Sequence, residues 1–258
     1  MECKSLISVI IPCFNHERFI EETIRSVVQS TYSPLEIIVV NDGSTDRSED
    51  IVKSLQNQFS NLKYICQKNA GPAAARNHGI SESKGEYILP LDADDLISPN
   101  YIREAIDAIE NQKTVKLVYC EAEFFGARSG KWKLPDFSRK LLARENMIFC
   151  SAIYRKSDWK LAGGYSNEMT WGWEDWEFWI SLLKDGGEVV KLPDTGFYYR
   201  VTKGSRRKST NKEAKRKTVE LINSKHKDFL FKYLHGPLRN NRSWSVFINR
   251  LSAIFRKL

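Results

Sequence analysis

The sequence predicts an α/β fold with a mainly parallel, Rossmann-like sheet flanked by helices. Strand-like apolar runs of about five residues alternate with helix-period segments through roughly the first 115 residues. The runs are apolar throughout, as in strands buried on both faces. Each ends in a polar or glycine-containing loop, where open α/β sheets bind their ligands.

Taken in order, residues 6–11 (Leu-Ile-Ser-Val-Ile-Ile) open as a strand stopped by Pro12. Residues 17–30 carry Phe19, Ile20, Ile24, Val27 and Val28 on one helical face. The second strand, 35–40, closes on Asn41-Asp42-Gly43-Ser44, and 45–58 is helical. A third strand (62–66), an Ala-rich helix (72–83), a fourth strand (87–91) and a helix (101–111) complete the alternation.

After Lys116 to Cys120 the rhythm breaks. A hairpin is expected over 124–134, turning near Ser129-Gly130, then a strand over 147–154 and a short helix over 157–161. Gly163-Gly164-Tyr165 makes a turn, 174–184 a helix, and 188–192 and 196–201 late strands. The expected division is one domain over 1–202, with a nucleotide-binding half to about 115 and an elaborated second half over about 116–202. A basic helical extension, 203–258, follows, its segment 203–217 polar and read as mobile.

The net charge of +8 hides an asymmetry, because from Arg200 onward 17 Lys and Arg face 3 Asp and Glu. The five cysteines are spread out with no Cys-x-x-Cys pair, which reads as small buried hydrophobes in a reducing compartment. No stretch has the layout of a membrane span or a signal peptide, so the expected location is cytoplasmic.

The chemistry concentrates at the strand ends. Leu91-Asp92-Ala93-Asp94-Asp95 places three carboxylates at the end of the fourth strand, where they repel unless a cation is near. Asp-x-Asp offers hard oxygen ligands to a divalent metal, with substrate phosphates completing the shell; a solvated acidic turn is the bland alternative. Phe14, after Pro12 and before Asn15, presents a face for stacking on a base or belongs to the core. Asp42 suits a uracil N–H or ribose hydroxyl, or simply the turn. Gly71-Pro72 starts a helix whose N-terminus favours anions, with Arg76 about one turn inside. In Met169-Thr-Trp-Gly-Trp-Glu-Asp-Trp-Glu-Phe178, Glu174 and Asp175 head a helix among aromatics such as Trp171 and Trp173, which stack well on sugars.

Four ordered blocks resemble glycosyltransferase family 2 of GT-A type. They are Val9-Ile-Ile-Pro-Cys-Phe-Asn15, Glu36-Ile-Ile-Val-Val-Asn-Asp-Gly-Ser-Thr-Asp46, Asn69-Ala-Gly-Pro-Ala-Ala-Ala-Arg-Asn77 and Leu91-Asp-Ala-Asp-Asp95. The resemblance implies that Pro12, Phe14, Asn15, Asp42, Asn69, Gly71, Arg76, Asp92, Ala93 and Asp94 bind the nucleotide sugar. Asp92 would lie near the ribose and Asp94 on a Mn2+ or Mg2+ ion bridging the diphosphate. It implies an acceptor-binding second half, with Asp175 as general base and Glu174 as the residue that orients the acceptor or supports the helix start, beside Trp171 and Trp173. Asp95 reads as a helix cap.

Family members often carry Tyr-Arg-x-His after the last strand; here Tyr199-Arg200-Val201-Thr202 lacks the His. Arg200, Lys203 and Arg206 remain to clamp the diphosphate.

In the tail, Trp244, Phe247, Ile248, Leu251, Ile254, Phe255 and Leu258 recur at helical spacing among Arg242, Asn249, Arg250, Arg256 and Lys257. Residues 244–258 read as a basic amphipathic helix on an anionic membrane surface, with an ordinary docked helix or a dimer contact as alternatives. No helix-turn-helix, RNA-binding or zinc signature supports nucleic acid as a partner.

The expected function is inverting transfer of a sugar from a nucleoside-diphosphate donor, UDP-linked by preference. The acceptor would be a glycan or lipid-linked chain at the inner face of the cell membrane. A nucleotide-sugar-forming nucleotidyltransferase would show a Gly-rich basic loop where Pro12-Cys-Phe-Asn-His16 stands, and a vestigial scaffold would have no need of Asp92, Asp94 and Asp175.

Overall fold

The computed structural model describes residues 4–202 and 212–255. Strands β1 (Ile7–Cys13), β2 (Leu35–Asn41), β3 (Leu62–Cys66) and β4 (Tyr87–Pro90) are mutually parallel, in the order β3-β2-β1-β4. Helices α1 (Ile20–Val28), α2 (Ser48–Gln56) and α3 (Pro72–Glu82) make the crossovers, and α4 (Tyr101–Asn111) follows β4 after the short strand β5 (Leu96–Ile97). Ile7, Val9, Ile10 and Ile11 in β1 and Ile37 to Val40 in β2 are fully buried, as continuous apolar runs require.

Helix α3 sits hard against this sheet. A Cβ on Gly79 would come within 2.6 Å of Ile10 Cγ2 and 2.9 Å of Val40 Cγ2, so only glycine permits the approach. Arg76, one turn earlier, is thereby held in the interior.

The second half extends the sheet as β4-β8-β6-β9-β5 and makes it mixed. Strand β6 (Val115–Gly126) pairs with β7 (Gly130–Trp132) as the expected hairpin. It also pairs antiparallel with β8 (Ile153–Arg155) and parallel with β9 (Glu188–Val201). The two late strands expected are one strand, with register shifts opposite Cys120 and Glu121 accommodating the Pro193 region.

The strand expected over 147–154 is only β8. Residues Met147 to Ala152 are buried but irregular, their carbonyls taken by side chains: Trp179 Nε1 donates to Ile148 O (3.2 Å) and Tyr101 Oη to Ser151 O (2.7 Å). A short apolar run does not by itself separate strand from buried coil. Helices α5 (Arg139–Leu142), α6 (Lys156–Ala162) and α7 (Glu174–Leu183) complete this half.

Beyond it lie α8 (Lys212–Lys225), α9 (Lys227–Leu234), a 3-10 turn (Arg242–Trp244) and α10 (Ser245–Phe255). The mobile segment expected over 203–217 is corrected at its end: residues 212–217 are helical, and 203–211 lie outside the described residues. Buried Val219 and Ile222 fix α8 to the body despite its basic surface.

Candidate functional site

The loops leaving β1 to β4 are tied to one another at the carboxyl end of the sheet. Asp42 N donates to Cys13 O (2.8 Å), and Leu91 N to Ile10 O (2.9 Å). The Asp42 carboxylate accepts from Gln67 Nε2 (2.7 Å), Ala70 N (2.8 Å) and Gly71 N (2.8 Å), so it fixes the loop that starts α3. Asn15 adopts φ 58° and accepts from Thr45 N at 2.8 Å. Beside it Phe14 is 42% exposed, which removes it from the core and leaves its ring on the loop surface next to Pro12. Asn69 packs on Gly43, whose φ of 77° and 3.0 Å clearance to Asn69 N leave no room for a side chain. Gly71 faces the Thr170 methyl, which brings the α3 loop against the loop before α7.

The acidic loop is braced from two sides. Asp92 Oδ1 accepts from Arg76 Nη2 at 2.6 Å, while Arg76 Nη1 reaches Glu174 Oε1 at 2.5 Å. Arg76 is buried, so its charge is balanced by these carboxylates, which hold its pKa well above the usual value against the opposing effect of burial. Burial pushes the Asp92 carboxyl up, but the Arg76 charge outweighs it and holds the group below the ordinary carboxylate range.

Asp94 differs. Burial and the neighbouring Asp92 charge raise its pKa, and among the described residues its carboxylate has no counterpart of the Arg76 pairing. Ala93 is buried, its carbonyl accepting from Thr23 Oγ1 at 3.0 Å.

Asp95 is not the helix cap expected, since α4 is preceded by Asn100. Asp95 is buried and accepts from Arg200 N at 2.7 Å; burial and its acidic neighbours push its pKa well up. Arg200 also donates Nε to Asp94 O (2.7 Å) and Nη2 to Glu22 (2.5 Å), with its guanidinium 4.6 Å from the Phe19 ring centre and 4.3 Å from that of Phe125. It therefore buttresses the acidic loop. Lys203 and Arg206 lie outside the described residues.

At the head of α7, Trp173 takes a left-handed conformation (φ 63°) that turns the chain into the helix. Asp175 is half-buried; its Oδ2 accepts from Asn146 Nδ2 (2.8 Å) and its Oδ1 from Trp176 N (2.8 Å). Burial first, then the Glu174 charge, raises its pKa to about 7, against the lowering effect of the Asn146 hydrogen bond.

Trp171 is pinned by the extension: its Nε1 donates to Thr218 Oγ1 at 2.8 Å. Glu177, one turn into α7 and fully buried, accepts from His226 Nε2 (2.7 Å), Lys225 Nζ (3.1 Å) and Ser181 Oγ (3.0 Å).

Sequence reasoning missed Asn146, Thr218 and His226, which sit in no motif, and Glu177, which lies in the Met169–Phe178 block but was given no role. It also passed over His16, whose buried Nδ1 has no hydrogen-bond partner among the described residues and which lowers the pKa of both Asp92 and Asp94 electrostatically.

Comparison with known proteins locates the chain among sugar transferases. The family model described as "Glycosyl transferase family 2" matches residues 8–212. The uncharacterised glycosyltransferase RT0329 of Rickettsia typhi is 40% identical over 193 residues, covering 69% of this chain and 59% of that protein. The chain spans less than two thirds of the length of this and the other leading curated relatives. Two solved structures share the fold. S. aureus TarS 1-349 in complex with UDP-GlcNAc has a TM-score of 0.73 at 23% identity, covering 93% of this chain and 72% of that one. The mannosyltransferase PcManGT of Pyrobaculum calidifontis, in complex with GDP-Man and Mn2+, has a TM-score of 0.68 at 17% identity, covering 99% and 76%.

Proposed function

The chain belongs to glycosyl transferase family 2, and on that premise we propose an inverting glycosyltransferase that uses a nucleoside-diphosphate sugar, UDP-linked by preference. The acceptor is a hydroxyl of a glycan or lipid-linked chain in surface polysaccharide synthesis. The observation that carries this reading is the Arg76 bridge. One guanidinium holds the first carboxylate of the Asp92-Ala93-Asp94 loop and the carboxylate that opens α7, so a donor over the loop faces an acceptor beside the helix.

Asp175 is the base in this reading. A carboxylate with a pKa of about 7 is matched to taking a proton near neutrality. As the acceptor oxygen bonds to the anomeric carbon, its proton passes to Asp175 and the bond to the diphosphate breaks on the opposite face. That displacement inverts the carbon and needs no nucleophile on the protein. Trp171 and Trp173 flank the acceptor, and Glu174 orients it.

Pro12, Phe14, Asn15, Asp42, Asn69, Gly71, Arg76, Asp92, Ala93 and Asp94 make up the donor wall. Asp42 supports a uracil or ribose contact because its Oδ2, which accepts from Gly71 N, has a lone pair to spare. The half-buried, like-charged setting of Asp94 fits a hard cation, Mn2+ or Mg2+. No group of three or more His, Cys, Asp or Glu is arranged to hold a metal ion among the described residues, so the donor phosphates would supply further ligands. Bound there, the ion would neutralise the departing diphosphate. Arg200 supports Asp94, and with Lys203 and Arg206 is assigned to the diphosphate.

In domain terms, 1–202 is the transferase domain and 203–258 an extension that buttresses its acceptor half. No helix among the described residues is long and apolar enough to cross a membrane; the proposed location is peripheral, on the inner face of the cell membrane.

The test is calorimetric binding of UDP, GDP and dTDP, each with and without Mn2+, to the wild type and Asp94→Ala. Metal-dependent binding of UDP, lost in the variant, supports the assignment. Preference for GDP would replace the donor, and no binding by any nucleotide would remove the site.

A further inference from the structure

Helix α10 turns two polar residues toward the protein: Ser245 and Asn249 are buried at 0% and 3% exposure. Ser245 Oγ accepts from Arg239 N (3.0 Å), and Asn249 bonds to Leu234 O (3.0 Å), Pro237 O (2.9 Å) and Arg239 Nε (3.0 Å). Val246 packs on the core, but Phe247 (55%) and Leu251 (40%) face outward, beside Trp244 (53%) of the preceding 3-10 turn. Trp244, Phe247 and Leu251 of the stripe that the sequence offers as a packing seam are therefore not used against the body of the chain. A docked surface helix buries its apolar face and solvates its polar one; this one is held by Val246 and by the hydrogen bonds of Ser245 and Asn249, and leaves Phe247 and Leu251 in solvent.

A second helix extends the patch. Phe231 on α9 is 62% exposed and lies one turn before His235, whose N donates to Phe231 O (3.0 Å). Arg250 of α10 approaches His235 Nε2 at 3.4 Å, so the end of α9 that follows Phe231 adjoins α10 one turn after Phe247. Four of the six large exposed hydrophobics among the described residues thus fall between residues 231 and 251. The surrounding sequence is strongly cationic, with 17 Lys and Arg against 3 Asp and Glu from Arg200 onward.

We propose that Phe231, Trp244, Phe247 and Leu251 form a two-helix face that docks on an anionic lipid bilayer. The apolar side chains enter the interface while the extension's positive charge is drawn to the headgroups. Charge decides the occupant. A second copy of the same face would bring two strongly cationic extensions together, whereas an anionic bilayer meets both the charge and the exposed aromatics. The inference deepens the peripheral-membrane part of the proposed function and is tested independently of the donor site.

The test is flotation of the full chain with phosphatidylcholine vesicles, with and without phosphatidylglycerol, beside calorimetric UDP binding. The expected result is binding to the anionic vesicles, absent from the neutral ones. The triple variant Phe231→Ser/Trp244→Ser/Phe247→Ser should bind them about tenfold or more weakly, with UDP affinity unchanged as proof of folding. Undiminished vesicle binding by the triple variant overturns the proposal, as does equal binding to neutral vesicles. A wild-type dimer that the triple variant dissociates, seen by sedimentation equilibrium, also overturns it by giving the face to a second copy. Loss of UDP binding by the wild type, with vesicle binding intact, sinks the donor reading and leaves the docking face standing.

Discussion

Arg76 Nη1 lies 2.5 Å from Glu174 Oε1, and the same guanidinium holds Asp92 at 2.6 Å. The bridge ties the end of β4 to the head of α7 through a side chain that Gly79 and the small residues of α3 let into the interior.

Removing Arg76 should destabilise the fold as a whole. Arg76→Met leaves Glu174 buried and unpaired, at a cost of about 3–5 kcal/mol. Arg76→Lys keeps the charge but cannot span both carboxylates, so it rescues only part. Urea denaturation at neutral pH measures both. The Asp92 share has a pH signature: its carboxyl sits below its unfolded value, so its stabilisation is present above the ordinary Asp range and lost as pH falls through the folded pKa. A wild type and an Asp92→Asn variant that lose stability in parallel on acidification would remove that share.

Asp94 should matter to binding and not to folding. Its raised pKa means the charged form is strained in the free protein, so Asp94→Asn should be neutral or slightly stabilising in a melt. The same change should weaken metal-dependent nucleotide binding at least tenfold, by roughly 1.4 kcal/mol or more. Adding a chelator to the wild type should reproduce the loss in calorimetry; equal binding with and without chelator would take the metal out of the site.

Asp175 carries the clearest pH dependence. Transfer should rise as pH increases through about 7, where the carboxyl deprotonates and becomes a base. Asn146→Ala removes a hydrogen bond to the charged form and should move that midpoint upward. Asp175→Asn should lose transfer by about 10²–10⁴-fold while keeping UDP affinity. Its effect on stability runs the other way: a carboxyl with a raised folded pKa costs stability above the unfolded value, fully so once pH passes about 7. The Asn variant should therefore melt higher than the wild type at pH 8, with the gap closing toward pH 4.

The first half was legible because its strands are unbroken apolar runs and its ligand loops end them; β3 and α4 fall on their expected bounds. What the sequence concealed were partners. The pairing of Arg76 with Asp92 and Glu174 was one of these, because nothing local tells a guanidinium which distant carboxylate it will meet. Residues 212–217 looked mobile because Lys and Arg dominate, yet α8 is held by buried Val219 and Ile222 and by Thr218, which accepts from Trp171. The stripe of α10 gave its spacing but not its direction, which hydrogen bonds of Ser245 and Asn249 decide.

The extension should prove necessary to the acceptor side alone. Glu177 is fully buried, and burial alone would raise its pKa, but His226 and Lys225 outweigh this and lower it. His226→Ala leaves that carboxylate with Lys225 and Ser181, so a cost of about 2–3 kcal/mol is expected, below the full penalty of an unpaired buried charge. Because the folded pKa is depressed, the stabilisation Glu177 contributes is present above the ordinary Glu range and disappears as pH falls through the folded value. Thr218→Val is the milder probe, taking only the acceptor for Trp171 Nε1 and leaving an indole N–H unpaired, at about 1–3 kcal/mol. Thr218→Ser should restore it. In both His226→Ala and Thr218→Val, UDP affinity should stay at the wild-type value while transfer falls, since the hydrogen bonds removed belong to Trp171 and to Glu177 of α7. A matching loss of UDP affinity would show that the extension supports the whole domain and not the acceptor half.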